Sequence, residues 1–333
     1  MSNPAYETGV CASLDDFFTK LWTFCTSVID VSYRFADESV TTPQTLNEAG
    51  GGTGTTYSYT VKCLSRDGYY WWLRYHTTGG VYGMIAPNAG ASGWASITGR
   101  PTYDCRIFPL PGAGTYHFFS YNGAVHAVCV LTNSVCVHIN FGVMDKIGSW
   151  TGGEYFSGTY AAVSTAALVD NNPDAAQHRF SFHQGSSSAR PAASALNGMM
   201  RCVYNSKNFG LMDYGDVHSS YNLMCIVGGI QDEGSYAGNL RALQTAYAPN
   251  SYTPYRSFGF PIEYLLYKNA DDSLMYDIGS IPGARFVNML YHEPGDVVND
   301  DWLIFPVCYK GTVGSVGNYA ATNNYGIAYY RGP

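Results

Sequence analysis

Charge is the scarcest commodity in this sequence: Asp, Glu, Lys and Arg together make up 13% of its 333 residues. Lys and Arg total 18, and the formal net charge is −7. They nowhere form a run, and gripping a phosphate backbone requires clustered positive charge, so no nucleic-acid partner is expected. No apolar run is long enough to span a bilayer as a helix, so no membrane insertion is expected either. The opening MSNPAYETGV lacks the basic and apolar regions of a signal peptide, which points to a soluble chain made in a cytoplasm. No segment recurs with the period of a propeller or solenoid. The nine cysteines include no CxxC pair, which leaves a zinc ribbon or thioredoxin-type site without support.

Catalytic patterns are equally sparse. There is no GxSxG elbow, and Ser186 to Ser188 lie in a low-complexity stretch without the strand and helix that an elbow needs. The glycines between Gly50 and Gly54 lack the Lys-Ser/Thr of a P-loop. His292-Glu293 superficially suggests a zinc-protease helix, but Pro294 and Gly295 stand where that helix must continue; the segment reads as a turn. The adjacent pairs Asp271-Asp272 and Asp300-Asp301 also read as turns. His117, His126 and His138 fall in one meander, yet nothing in their spacing places them on one face. His178 and His183, five apart, would point to opposite sides of a regular strand. Neither an enzyme nor a metal or other cofactor is expected.

What the chain does have is glycine (37 residues), tyrosine (29) and a hydrophobic content of 46%. Tyr buries its ring against a pleated surface and keeps its hydroxyl at a wet edge, so this composition suits strands joined by short turns. From Tyr116 to Trp150 the sequence predicts three strands. Asn122-Gly123 is the dipeptide of a type I′ turn, and Asn133-Ser134 is a weaker break. Two strands flank Arg66-Asp67-Gly68, and a third hairpin turns between Asn269 and Asp272. Further strands are expected around 81–86, 105–110, 179–182, 199–204, 221–230, 284–291, 301–310 and 323–331. The one helix begins at Ser13, an N-cap with Asp16 at N3, and repeats Leu14, Phe17, Leu21, Phe24 or Cys25, and Val28 on one face. Residues 41–56 read as a patternless loop.

The expected fold is therefore mainly β: an antiparallel β-sandwich, or two packed sheets, with one N-terminal amphipathic helix. The Ala-, Ser- and Asn-rich stretch 156–198 reads as a junction or long surface excursion. It separates a helix-plus-meander region (1–155) from a C-terminal β region (199–333), unless the two form one continuous β fold. Most cysteines sit in apolar strand runs, as small buried hydrophobes. Cys129 and Cys136, on either side of Asn133-Ser134, are the candidate disulfide. Tyr69 to Trp72 put two aromatics on each face of one strand, so one pair needs a second layer or stays exposed. Tyr70, Trp72, Trp94 and Tyr103 are the candidate glycan contacts, the competing reading being subunit packing.

Three blocks resemble a family of virion structural proteins of tailed bacteriophages, encoded among tail and baseplate genes. The first is Ser13-Leu14-Asp15-Asp16-Phe17-Phe18 through Phe24, similar to the family's opening helix. The second is Tyr116-His117-Phe118-Phe119, then His138-Ile139-Asn140-Phe141-Gly142, Lys146 and Gly148 to Gly153. The third runs from Ile281-Pro282-Gly283 through Asp301 to Pro306 and on to Asn324-Tyr325-Gly326-Ile327-Ala328-Tyr329. The resemblance implies a non-enzymatic particle component with other virion proteins as partners, present as a homo-oligomer and located in the virion. Tail or baseplate is the expected position, neck, collar or capsid decoration the alternative. Phe17, Leu21, Phe24, Trp150 and Tyr155 are the expected interface residues. The main rival is an adhesin that binds host surface glycan, either a phage receptor-binding protein or a secreted lectin; a polysaccharide hydrolase is the enzymatic alternative.

Overall fold

The computed structural model describes residues 3–47, 56–76, 81–86, 105–107, 113–131, 136–158, 160–161, 178–179, 200–205, 207–210, 221–225, 259–268, 275–288, 292–306 and 325–333. Among the described residues the fold is mainly β, with antiparallel sheets and one α-helix near the N-terminus. Its centre is a seven-stranded sheet in the order Ala5–Cys11, Gly114–Tyr121, Ala124–Leu131, Cys136–Val143, Gly152–Gly158, Met200–Tyr204, Lys207–Gly210. The predicted turn is present: Asn122 and Gly123 have φ of 49° and 81°, the left-handed pair that a type I′ hairpin requires.

Both faces of this central sheet are covered, which is why Ala124–Leu131 and Cys136–Val143 are buried almost throughout instead of alternating. One face meets a second sheet, ordered Tyr221–Cys225, Phe260–Lys268, Met275–Asn288, Tyr325–Tyr330, Trp302–Pro306, Asp296–Val298. Phe119 stacks on Tyr329 there at 5.3 Å, and His117 packs on Phe305 at 4.8 Å. The other face carries the helix and a third sheet. Phe17 and Phe24 sit edge-on or tilted against Phe118 at 5.5 and 5.6 Å. Phe35 wedges between Trp71 and Phe141.

The helix, Leu14–Thr23, starts where Ser13 accepts the Asp16 N–H at 3.1 Å. Asp16 itself accepts from the Ala12 N–H and from Lys20 Nζ, whose ammonium also donates to the Val10 carbonyl on the edge strand. The helix then continues as a single π turn, Phe24–Val28, which keeps Phe24 and Cys25 buried.

The third sheet holds Ala36–Asp37, Thr56–Arg66, Tyr69–Tyr75, Val81–Ala86 and Cys105–Ile107, with Val40–Asn47 paired to Thr56–Arg66. Part of the expected loop 41–56 is thus an edge strand. Pro43 lacks an N–H for the ladder and lies within the register shift between Val40 and Gln44, and such interruptions are tolerated at an edge. Residues 5–11, unassigned in the sequence reading, form the first strand, paired with Gly114–Tyr121.

Strands on either side of the 156–198 stretch share sheets. Met200–Tyr204 and Lys207–Gly210 extend the sheet begun by N-terminal strands, and Asp145–Lys146 pairs with Ser280–Gly279 of the second sheet. One apolar cluster runs from Cys11 to Tyr329. Most of 156–198 lies outside the described residues.

Candidate functional site

Where the central sheet meets the second, polar groups are enclosed between the two layers. The register sets Asn140 opposite His126, and His138 lies two residues before Asn140, so all three point to the same face. Across the gap are two proline carbonyls and one phenol. His126 Nε2 lies 2.8 Å from the Pro282 carbonyl oxygen and its Nδ1 lies 2.9 Å from Asn140 Oδ1. His138 Nε2 lies 2.8 Å from the Pro306 carbonyl oxygen and its Nδ1 lies 2.8 Å from the Tyr329 hydroxyl. Asn140 also acts on the Tyr329 phenol, against the effect of burial, which brings these groups into one line. His126, His138 and Asn140 are fully buried. Burial pushes both imidazoles down, to about 4, and holds the Tyr329 phenol far above its usual range.

A second constellation closes one end of the seam. Between Asp145 and Gly153 the chain folds back so that Lys146 Nζ donates to the Trp150 carbonyl and lies 5.4 Å over its ring. Trp150 donates its indole N–H to the Ile147 carbonyl and packs on Tyr204 at 4.8 Å. The glycines around this turn are obligatory for contact. A Cβ on Gly279 (φ +142°) would sit 2.2 Å from the Asp145 carbonyl, and one on Gly142 (φ +135°) would sit 2.3 Å from the Gly123 carbonyl. The FG…K…W…GG residues are therefore a clasp that ties the central hairpin to the second sheet.

The expected interface residues are mostly used up inside the chain. Phe17, Leu21, Phe24 and Tyr155 are at most 1% exposed. Their faces are already taken by Phe118, by the helix's own packing and by the second sheet, so they have no surface left for a partner. Trp150 alone of the five remains partly exposed. Among the glycan candidates, Trp72 is buried with Tyr59, Val61 and Cys63 of the neighbouring strand, and Val40 and Leu46 of the edge strand pack against this cluster. Tyr70 is half-buried at the rim of that cluster. Trp94 and Tyr103 lie outside the described residues.

The Cys129–Cys136 disulfide is overturned by register. Cys129 is opposite Val137 and Cys136 is opposite Val130, so the two side chains point to opposite faces of the sheet. Both are free and buried. The Cys129 sulfur instead lies 3.8 Å from that of Cys11, both above Gly114, where any Cβ would meet the Cys129 sulfur at 2.9 Å. The Cys129 hydrogen bond lowers the Cys11 thiol to about 7 and raises the Cys129 thiol.

Among the described residues no group of three or more His, Cys, Asp or Glu is placed to hold a metal ion. His292 to Asp296 does form a turn, closed by the Asp296 N–H to the Glu293 carbonyl. No helix of the described residues is long and apolar enough to cross a membrane. The enclosed line of His126, Asn140, Tyr329 and His138 was missed by sequence reasoning. Its signal was the even spacing of His138 and Asn140 within one strand. Compared with known proteins, the chain matches no family model and no curated sequence.

Proposed function

We propose that this chain is a non-enzymatic structural subunit of a tailed-phage virion, in the tail or baseplate, assembling with copies of itself and with other virion proteins. The observation that carries the reading is where the family-like blocks meet. Tyr116 to Phe119 and His138 to Gly142 pack against Phe305, Pro306 and Tyr329, so blocks far apart in sequence build one interlayer seam. A resemblance confined to unrelated surface strands would carry less weight.

With the helix face and Tyr155 enclosed, the docking surface is drawn from what remains outside. Val10 is 69% exposed and Val31 74%, and Val28, Ile147 and Val297 are also exposed. Trp150 and the outer edge of Ala5–Cys11 complete the set, edge strands being natural sites of strand addition. Repetition in a particle makes individually weak contacts of this kind strong in aggregate.

Mass spectrometry of purified particles tests the reading. The chain should be recovered as a multi-copy component and should cross-link to itself and to tail or baseplate proteins. Its absence from particles, with the folded chain free in the lysate, would refute it. A glycan array on the isolated chain separates the adhesin: reproducible binding lost on Tyr70→Ala would favour that rival.

A further inference from the structure

The outer edge of Ala5–Cys11 is regular and uninterrupted. Its ladder to Gly114–Tyr121 runs from Ala5 opposite Ser120 to Cys11 opposite Gly114 without a register shift, and it holds no proline. Among the described residues no strand lies beyond it. Other outermost strands are blunted, as exposed edges commonly are. Asp296–Val298 and Cys105–Ile107 have three residues each, and Val40–Asn47 carries Pro43 and a register shift. Ala5–Cys11 has one such guard, Lys20, whose ammonium donates to the Val10 carbonyl at 2.8 Å.

That contact shows which backbone groups face outward. In an antiparallel strand the N–H and C=O of one residue point to the same side, and successive residues alternate. The Val10 carbonyl is met by a side chain from outside the ladder. Tyr6, Thr8 and Val10 therefore turn their backbone groups outward, while Glu7, Gly9 and Cys11 turn theirs to Gly114–Tyr121. The three outward residues also share one face of the sheet, on which Val10 is 69% exposed and Thr8 is exposed. Glu7 and Lys20 flank Tyr116 on the other face. The Tyr116 hydroxyl donates to Glu7 at 2.9 Å, and the Lys20 ammonium lies 5.7 Å over the ring.

We infer that Ala5–Cys11 is the contact of a two-fold dimer, in which the same strand of a second copy pairs with it antiparallel about Thr8. A second copy as occupant rests on the self-assembly proposed above; the strand, its register and its symmetry are added here. Outward groups meet only when even-numbered residues stand opposite even-numbered ones. Centring on Thr8 uses all three: Thr8 faces the partner's Thr8, and Val10 faces the partner's Tyr6. Centring on Glu7 would set two carboxylates face to face and Val10 against Pro4, which has no N–H. Centring on Gly9 would run Tyr6 beyond the end of the strand, to Ala12. About Thr8, the side-chain pairs are Thr on Thr and a β-branched residue on an aromatic, both favourable across strands. Charge agrees as well. The partner's Glu7 stands opposite Gly9, beside the carbonyl on which Lys20 rests. When the partner's Tyr6 N–H takes that carbonyl, Lys20 is released to pair with the partner's Glu7, and the two-fold axis repeats the ion pair.

Sedimentation of the full chain over a range of concentrations should show a monomer–dimer equilibrium. Thr8→Cys places two thiols at the two-fold axis with Cα atoms about 5.5 Å apart, within disulfide reach. Mild oxidation should then link dimers well above the wild-type background. Thr8→Pro removes an outward N–H and leaves the intrachain ladder whole, so the chain should stay folded while the dimer's dissociation constant rises about tenfold or more. Lys20→Glu should weaken the dimer, and adding Glu7→Lys should restore it. A chain monomeric at every concentration, a dimer indifferent to Thr8→Pro, or a Thr8→Cys dimer that does not cross-link would each overturn the inference. Assemblies larger than a dimer that vanish in Thr8→Pro would put another occupant on this edge and overturn it too. A monomer in solution leaves recovery of the chain from particles untouched, whereas a dimer of a chain absent from particles would sink the virion reading alone.

Discussion

Replacing Phe17 with Ala separates an aromatic that holds this chain together from one reserved for a neighbour. Phe17 is 1% exposed, edge-on to Phe18 at 5.3 Å and to Phe118 at 5.5 Å. Losing the buried ring forfeits about 1.5–3 kcal/mol of transfer free energy. The two edge-to-face pairs add about 0.5–1.5 kcal/mol each. The helix is pinned at its start by Ser13 and Asp16 and further on by Phe18 stacked on Tyr75 at 4.5 Å, so it has little freedom to collapse into the vacated space. The sum agrees with the roughly 3–5 kcal/mol observed for Phe-to-Ala changes in rigid cores. Against a total stability of about 5–15 kcal/mol, that is a large fraction. The assay is urea denaturation of the isolated chain, followed by tryptophan fluorescence because Trp22 lies on the same helix. Val10→Ala, at an exposed position, is the control and should shift stability by less than about 0.5 kcal/mol. An unchanged midpoint for Phe17→Ala, together with a loss of self-association, would refute the placement of this face inside the chain.

Four other outcomes are expected. Gly142→Ala must place a methyl carbon 2.3 Å from the Gly123 carbonyl at a φ of +135°, and should cost about 3 kcal/mol or more, read as a lowered urea midpoint. His117, His126 and His138 all have folded pKa values depressed to about 4 by burial, whereas the unfolded chain protonates them near 6.5. Their contribution to stability is complete above about pH 6.5 and is lost as pH falls toward 4, so the urea midpoint should drop between pH 7.5 and 5. Oxidation in air followed by non-reducing peptide mapping should yield no Cys129–Cys136 cross-link. Trp150→Ala removes a half-buried ring and should cost about 1–2 kcal/mol while leaving the chain folded; particle incorporation is the readout for its proposed docking role.

Local chemistry carried its information into the sequence where a residue type has few conformational options. Asn122-Gly123 and Asp67-Gly68 adopt the positive φ values that mark tight hairpins, and Ser13 caps the helix as its side chain suggests. What stayed hidden depends on partners far along the chain. Ala5–Cys11 contains Glu7 and Gly9 and reads as no strand in isolation; its pairing partners begin at Gly114. Register was the other gap. A two-residue turn on Asn133-Ser134 would set His138 opposite Cys129. The observed ladder sets His138 opposite Val128, one residue away, and a slip of one residue exchanges the faces of a whole strand. The exposure of the helix face also depended on a layer that no local pattern reveals, since an apolar stripe looks the same whether it meets its own sheet or another subunit.

The order in which strands are made differs from the order in which they lie, and this has a consequence for how the protein comes into being. Ala5–Cys11 leaves the ribosome long before Gly114–Tyr121, and Tyr325–Tyr330 is synthesised after both strands that flank it in space. A nascent chain therefore waits with its first strand unmatched and its last sheet split by an open slot. Such distant pairings are slow to form and leave bare edges in the interim. Shortening the chain by the handful of residues that fill that slot would remove an inner stave of the sheet, leaving a product prone to clump before it could be built into anything.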